Sequence, residues 1–332
     1  MSRKKDVIKK SYFPSVCRVV LSSTLGLFLF LAPLTVNAYE FLVGTEKAGT
    51  FSHFTGRMLC RNISHQLPDA RCSTQVAEDE VDNLTNLQSG SIDLAIINSN
   101  VLDGAINKSG VFQFLDINYE NLTILTPLYD RPIGIIVRAD AGIATLNDLK
   151  GKRVNGGAPG SIERQSMGLI MKAKGWSVDD FALFEELPAS NSQDTLAFCQ
   201  GTVQAMLNIG VHPTLSIHKL LKNCKAQLLD IDDDAIDKFV ASHPSYWKTE
   251  INSESYPGPE SRVQTFGTRA ILVASSAIDQ ETAYAILKAI YDNQKRLQGN
   301  HPALSLYPIQ EARKGIEGLQ LHKGADQFFA TQ

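Results

Sequence analysis

The sequence predicts a two-lobed α/β protein made from two successive series of β-loop-α units. Three observations carry this. Short β-type runs alternate with helical patterns through most of residues 39–332, which implies a parallel sheet covered by helices. A glycine-rich loop between a strand and a helix opens each series, at residues 44–51 and again at 156–161. Two β-rich runs, 122–128 and 133–138, flank Tyr129-Asp130-Arg131-Pro132 between the series, and a long run at 263–274 follows the second. Two such lobes leave a cleft where strand ends and helix starts converge, the usual place for a small ligand in α/β proteins.

Each element has its own signal. Glu40-Phe41-Leu42-Val43 reads as a strand ended by Gly44, and Phe54, Met58, Leu59 and Ile63 recur at helical spacing until Pro68. A strand at 71–76 precedes a helix carrying Val81, Leu84 and Leu87. The apolar run 92–97 is a buried strand, with a helix starting near Asn100. In the second series, strands are expected at 152–155, 183–187, 203–207 and 226–229, with helices at 162–174 up to Gly175, at 192–199 and after Pro213. Tyr256-Pro257-Gly258-Pro259 breaks the pattern, and a long helix is expected over 279–297. Lobe I is therefore expected to combine 39–130 with 260–332, and lobe II to be the inserted segment 131–259.

Residues 1–38 read as a secretory signal rather than as part of the fold. Arg3, Lys4, Lys5, Lys9, Lys10 and Arg18 form a basic start, an apolar stretch follows, and Val36-Asn37-Ala38 suits cleavage after Ala38. An uncleaved membrane anchor is the alternative reading. Removing this segment takes away six basic residues and one acidic residue, so the net charge of −3 becomes −8. That acidity argues against a nucleic-acid partner. Cys60, Cys72, Cys199 and Cys224 remain, an even number in an exported chain, and no C-x-x-C pair suggests zinc or a redox site.

The motifs favour binding over catalysis. Gly44-Thr45-Glu46-Lys47-Ala48-Gly49-Thr50 offers backbone N–H groups at a helix N-terminus, but Thr50 stands where a phosphate loop needs its lysine. Gly156-Gly157-Ala158-Pro159-Gly160-Ser161 repeats the arrangement, with Ser161 as helix cap. Asn83, Asn98 and Asn208 fall near strand ends or helix starts, where an amide either caps or binds. No H-E-x-x-H or Gly-x-Ser-x-Gly pattern occurs, and the acidic run Asp230, Asp232, Asp233, Asp234 reads as a solvated helix start. His212 is either structural or faces the cleft. No catalytic residue, metal or cofactor is expected.

The segments GTEKAGTF, DNLTNLQSGSIDLAIINS, NLTILTPLYDRP, DLKGKRVNGGAPGS, GVHP and LHKGA, in this order, resemble the TAXI family of solute-binding proteins, which serve tripartite ATP-independent periplasmic (TRAP) transporters. The resemblance implies a type II-like bilobal periplasmic-binding-protein fold and delivery of an organic acid or amino acid, such as glutamate or 2-oxoglutarate, to ion-gradient-driven membrane subunits. It implies ligand contacts at Thr45, Gly49, Thr50 and Phe51, at Asn83 and Asn98, from Gly157 through Ala158, Pro159 and Gly160 to Ser161, and at Asn208, Gly210, His212 and Pro213. Two positions depart from the family: Glu46 replaces a glycine, and Ile162-Glu163 replaces a Gly-Thr pair. The expected protein is a periplasmic monomer; a ligand-sensing domain with a membrane partner and an exported enzyme are the alternatives. Disulfides Cys60–Cys72 and Cys199–Cys224 are expected, since each would lie within one lobe; four free thiols are the alternative. A carboxylate-bearing ligand is expected at the two helix N-termini. Glu163 either serves the helix dipole in the first turn or faces the cleft, where it would favour an amine.

Overall fold

The computed structural model describes residues 39–331 except 120–121, 190–191, 253–255, 257–261, 276, 309–310, 313–315 and 317–318. The expected signal segment 1–38 and residues 257–259 of the expected break lie outside the described residues.

The first series runs β1 (Tyr39–Thr45), α1 (Phe51–Gln66), β2 (Ala70–Val76), α2 (Glu80–Ser89), β3 (Leu94–Asn98) and α3 (Ser99–Ile106). A long strand, β4 (Thr123–Arg138), leads to the second series: β5 (Arg153–Asn155), α4 (Ile162–Lys174), β6 (Leu183–Glu185), α5 (Ser192–Cys199), β7 (Ala205–Ile209), α6 (Leu215–Asn223), β8 (Ala226–Leu229) and α7 (Asp234–Ser242). Then come β9 (Trp247–Asn252), the long return strand β10 (Arg262–Ala274), α8 (Gln280–Tyr291), α9 (Gln294–Asn300) and α10 (Lys323–Ala330).

The strands join in the order β2-β1-β3-β10-β4-β7-β5-β6, with β8 beside β4 and β9 beside β10. Pairs β1–β2, β1–β3, β5–β6 and β5–β7 are parallel, whereas β10 is antiparallel to both β3 and β4. Thus β4 and β10 are the two long strands that run through both halves of the sheet. One half buries apolar residues on both faces. Leu94 and Ile96 of β3 pack under α1 and α8, while Ala95 and Ile97 pack against α2 and α3. The other half does the same, with Ile135 and Val137 of β4 facing α4 and α7, and Ile136 facing α5 and α6. Two-faced burial explains why these strands read as continuous apolar runs.

Local chemistry sets the helix starts. Thr50 caps α1 by accepting from the His53 N–H at 3.2 Å, and Ser161 caps α4 by accepting from the Arg164 N–H at 3.1 Å. Gly175 ends α4 in the left-handed conformation that favours glycine. Asp233 caps α7 and pairs with Lys174 at 2.5 Å, so part of the acidic run is a helix start held by lysine. Cys60–Cys72 ties α1 to β2 and Cys199–Cys224 ties α5 to the end of α6. In the chain-entropy account each contributes roughly 3 kcal/mol.

Two expected elements differ. The runs at 122–128 and 133–138 are one strand, because β10 pairs alongside as far as Pro132, opposite Gly267, and β7 pairs from Ile133 onward. The expected helix over 279–297 is two helices, parted at Asp292 and Asn293, where the Asn293 side-chain amide donates back to the Ala289 carbonyl.

Candidate functional site

The end of β7, the starts of α3 and α4, and the middles of β4 and β10 meet at a crevice between the two halves of the sheet. Its lining includes Asn100 on one side, Arg131 and Thr268 on the long strands, and Ile162, Gln165, Ser166 and Leu169 on the other side. Ile162, Gln165, Ser166 and Leu169 are spaced i, i+3, i+4 and i+7, one face of α4. Tyr246 and Ile209 complete the wall. The space left is narrow, ≈ 20 Å³.

Arg131 supplies the positive charge. It is half-buried, and its guanidinium makes no hydrogen bond or ion pair among the described residues. Nearby stands Glu80, first residue of α2, whose carboxylate accepts from the Asn98 backbone N–H at 2.6 Å and from its side-chain amide at 2.8 Å. Burial raises the Glu80 pKa above the usual carboxylate value, and Arg131 opposes that rise. The Tyr129 hydroxyl is buried beside Thr55, and burial holds its pKa far above the ordinary phenol value.

The expected contact residues divide among several places. Thr45 is fully buried at the end of β1, its hydroxyl 3.0 Å from His53 Nδ1. Gly49 is exposed with φ +94°, Thr50 caps α1, and Phe51 packs edge-on to Tyr129 and His301. Asn98 binds Glu80, and Asn83 is buried against Gly44. In the second loop Gly157 takes φ +90° and approaches the first turn of α4 closely; an added Cβ would meet Glu163 Cβ at 2.6 Å. The Ser161 N–H donates to the Ala158 carbonyl, while Pro159 and Gly160 are exposed. Glu163 lies in the first turn beside Gly157, outside the α4 stripe that lines the crevice.

Two further cavities take the remaining residues. Asn208 lines a ≈ 360 Å³ cavity between α5 and α6, beside Cys199–Cys224. His212 and Pro213 line a ≈ 480 Å³ cavity with Asp130, Glu250 and Tyr307, and Gly210 leads into their loop. The Tyr256 hydroxyl accepts from the Thr214 N–H and is hydrogen-bonded to His212 Nδ1 at 2.7 Å. Neighbouring His301 donates from Nε2 to the Pro213 carbonyl. Sequence reasoning missed Glu80, Arg131, Gln165, Ser166 and Tyr246. The one available signal was the charged dipeptide Asp130-Arg131 within an otherwise apolar β region.

Solved structures of solute-binding proteins are similar to this chain. A TctC solute binding protein from Polaromonas aligns at TM-score 0.53 with 16% identity, over 88% of this chain and 93% of that chain. A putative sulfonate ABC transporter periplasmic sulfonate-binding protein, SsuA from Methylobacillus flagellatus KT, aligns at 0.49 with 12% identity, over 87% and 80%. The periplasmic aliphatic sulphonate binding protein SsuA from Escherichia coli aligns at 0.47 with 15% identity, over 88% and 83%. At 16% identity the likeness to the TctC protein speaks for the fold alone, a bilobal solute-binding-protein fold. The profile of the NMT1-like family matches residues 43–332, and the chain belongs to that family.

Proposed function

We propose that this chain is a periplasmic solute-binding receptor, not an enzyme, that closes on a small carboxylate-bearing solute and delivers it to the membrane subunits of a transporter. The observation that carries the reading is Arg131: a half-buried guanidinium on the strand joining the two halves, facing the crevice without an ion-pair partner among the described residues. Guanidinium matches a carboxylate in charge and fork geometry. Asn100, Gln165 and Ser166 add uncharged hydrogen-bonding groups around it, the usual makeup of a site that orients one small polar ligand.

In this reading lobe I comprises 39–130 with 260–332, and lobe II comprises 131–259. The resemblance to TAXI proteins supports TRAP-type partners driven by an ion gradient, and an organic acid or amino acid such as glutamate or 2-oxoglutarate as cargo. The basic and apolar leader supports export and cleavage after Ala38. The helix N-termini capped by Thr50 and Ser161 favour the same sign of ligand. The resemblance to TAXI proteins supports ligand contacts at Thr45, Gly49, Thr50, Phe51, Asn98, Gly157 and Ser161.

A thermal-shift screen of the mature protein tests the reading, comparing millimolar carboxylates, including glutamate and 2-oxoglutarate, with sugars and polyamines. Carboxylates should raise the melting temperature. Stabilisation confined to sugars or polyamines would overturn the assignment.

A further inference from the structure

The cavity between α5 and α6 is a separate space from the crevice. Its volume, ≈ 360 Å³, falls in the range of small-molecule sites. Arg131 and Ile133 of β4 line the crevice, whereas Ile136 of the same strand lines this cavity. Odd and even positions of a strand point to opposite faces. The two spaces therefore lie on opposite faces of β4, and they share no lining residue.

Much of the lining is apolar. Ile136, Met206, Ile217 and Leu220, all buried, stand beside the Cys199–Cys224 disulfide. The same two helices carry the exposed apolar side chains Leu196 and Leu215. One buried acidic residue interrupts this surface. Asp194, in the first turn of α5, is 1% exposed and lines the cavity.

The neighbouring amide holds Asp194 in place. Asp194 Oδ1 accepts from Asn155 Nδ2 at 2.7 Å. The Asn155 amide orientation is fixed from its other end, where its oxygen accepts from the Gly157 N–H at 3.1 Å and the Leu187 N–H at 2.9 Å. Lys219 also lines the cavity, but it is exposed. Water and salt screen an exposed charge, while a buried carboxylate acts through a poorly polarisable surrounding and attracts a cation more strongly. Asp194 thus sets the sign of charge that the cavity prefers.

We infer that this cavity binds a small organic amine, its apolar body between α5 and α6 and its protonated amino group against Asp194. An ammonium group brings a positive charge and three donors to a carboxylate, which only accepts. An alcohol of the same shape lacks the charge, and a carboxylate of similar size is repelled by Asp194. The site stands whether or not the crevice takes a carboxylate.

NMR titration of the mature protein with phenethylamine, 2-phenylethanol and phenylacetate tests it, because the three share a ring and differ in the end group. Phenethylamine should bind about tenfold or more tightly than 2-phenylethanol. Phenylacetate should not displace it, even where the crevice binds that acid. Asp194→Asn should weaken phenethylamine about tenfold and leave 2-phenylethanol unchanged. Ser216→Trp, which adds a large side chain at an exposed position of the lining, should abolish phenethylamine binding with little change in melting temperature. Phenethylamine that does not bind, binds no better than the alcohol, or is displaced by phenylacetate overturns the inference. So does an affinity unchanged in Asp194→Asn, which removes the charge from recognition, or unchanged in Ser216→Trp, which places the amine elsewhere. Should Asp194→Asn not fold, the wild-type comparisons and Ser216→Trp decide.

Discussion

Gly267 of β10 lies so close to Arg131 of β4 that a Cβ on Gly267 would stand 2.3 Å from the Arg131 carbonyl oxygen and 2.7 Å from Pro132 Cα. The contact falls where the long strands meet, with Gly267 paired to Pro132 and Arg131 to Thr268. Backbone, not a flexible side chain, fills the space, so the strands must part to admit a methyl group. Gly267→Ala is expected to cost about 1–3 kcal/mol and to weaken binding by moving Arg131. Urea unfolding checks the first, as a lower midpoint at unchanged slope, and titration checks the second. Wild-type stability and affinity in the variant would show that the close approach has no consequence.

Asp130, the next residue on β4, holds a buried charge. Arg269 is fully buried, its guanidinium carbon 3.2 Å from the Trp247 ring centre and 3.9 Å from that of Tyr307. Its Nε donates to Asp130 at 3.2 Å, and Asp130 also accepts from the Thr249 and Tyr307 hydroxyls. Burial raises the Asp130 pKa, and Arg269 opposes the rise. Asp130→Asn leaves Arg269 buried and uncompensated, at an expected cost of about 3–5 kcal/mol. The double variant Asp130→Asn with Arg269→Met should recover part of it. Denaturant unfolding of both variants measures this; a single variant as stable as wild type would contradict it.

The lobed α/β architecture was legible because it rests on local signals. Leu94, Ala95, Ile96 and Ile97 must be buried on both faces, and Ser161 and Gly175 delimit α4 at either end. The crossing was not legible. Pro132 argues against an uninterrupted strand, and only the partner strand, with Gly267 opposite, shows that the strand continues. The same holds for the site. Arg131 and Glu80 are 51 positions apart, and nothing local distinguishes either from a surface charge. Asn98 was legible as a candidate residue, but its partner Glu80 depends on how α2 packs against β3. The break at Asp292 escaped because neither Gly nor Pro marks it.

The His212 loop gives stability a pH dependence. Burial lowers the His212 pKa from 6.5 to about 4, so the native state keeps the ring neutral. The unfolded chain takes up the proton at the ordinary value. The resulting stability is present above pH 6.5 and is lost as the pH falls toward about 4. The shift corresponds to at most ~3 kcal/mol. His301, also lowered by burial, acts in the same direction. Urea midpoints between pH 7 and pH 4 should fall in the wild type and fall less in His212→Asn. Equal slopes would contradict the assignment.

Closure should depend on the contact across the crevice between Ser99 and the segment before β9. Ser99 Oγ donates to the Ser245 carbonyl at 2.7 Å and accepts from the Arg269 N–H at 3.1 Å. If the lobes hinge about β4 and β10, a saturating ligand reduces the radius of gyration seen by small-angle scattering. Ser99→Ala should shift the unliganded protein toward the open form. An unchanged radius at confirmed saturation would count against the hinge and the lobe boundaries.

If Arg131 holds a ligand carboxylate, calorimetric titration of wild type, Arg131→Lys and Arg131→Ala with one carboxylate found by screening will show it. Arg131 makes no ion pair among the described residues, although its charge favours the buried Glu80 carboxylate, so its loss should weaken binding more than it lowers the melting temperature. Removing one partner of a buried charge pair typically costs 2–5 kcal/mol, or about 30-fold and upward in Kd. Arg131→Ala should show that loss, with Arg131→Lys in between because it keeps the charge but not the fork. A wild-type Kd in Arg131→Ala would contradict it.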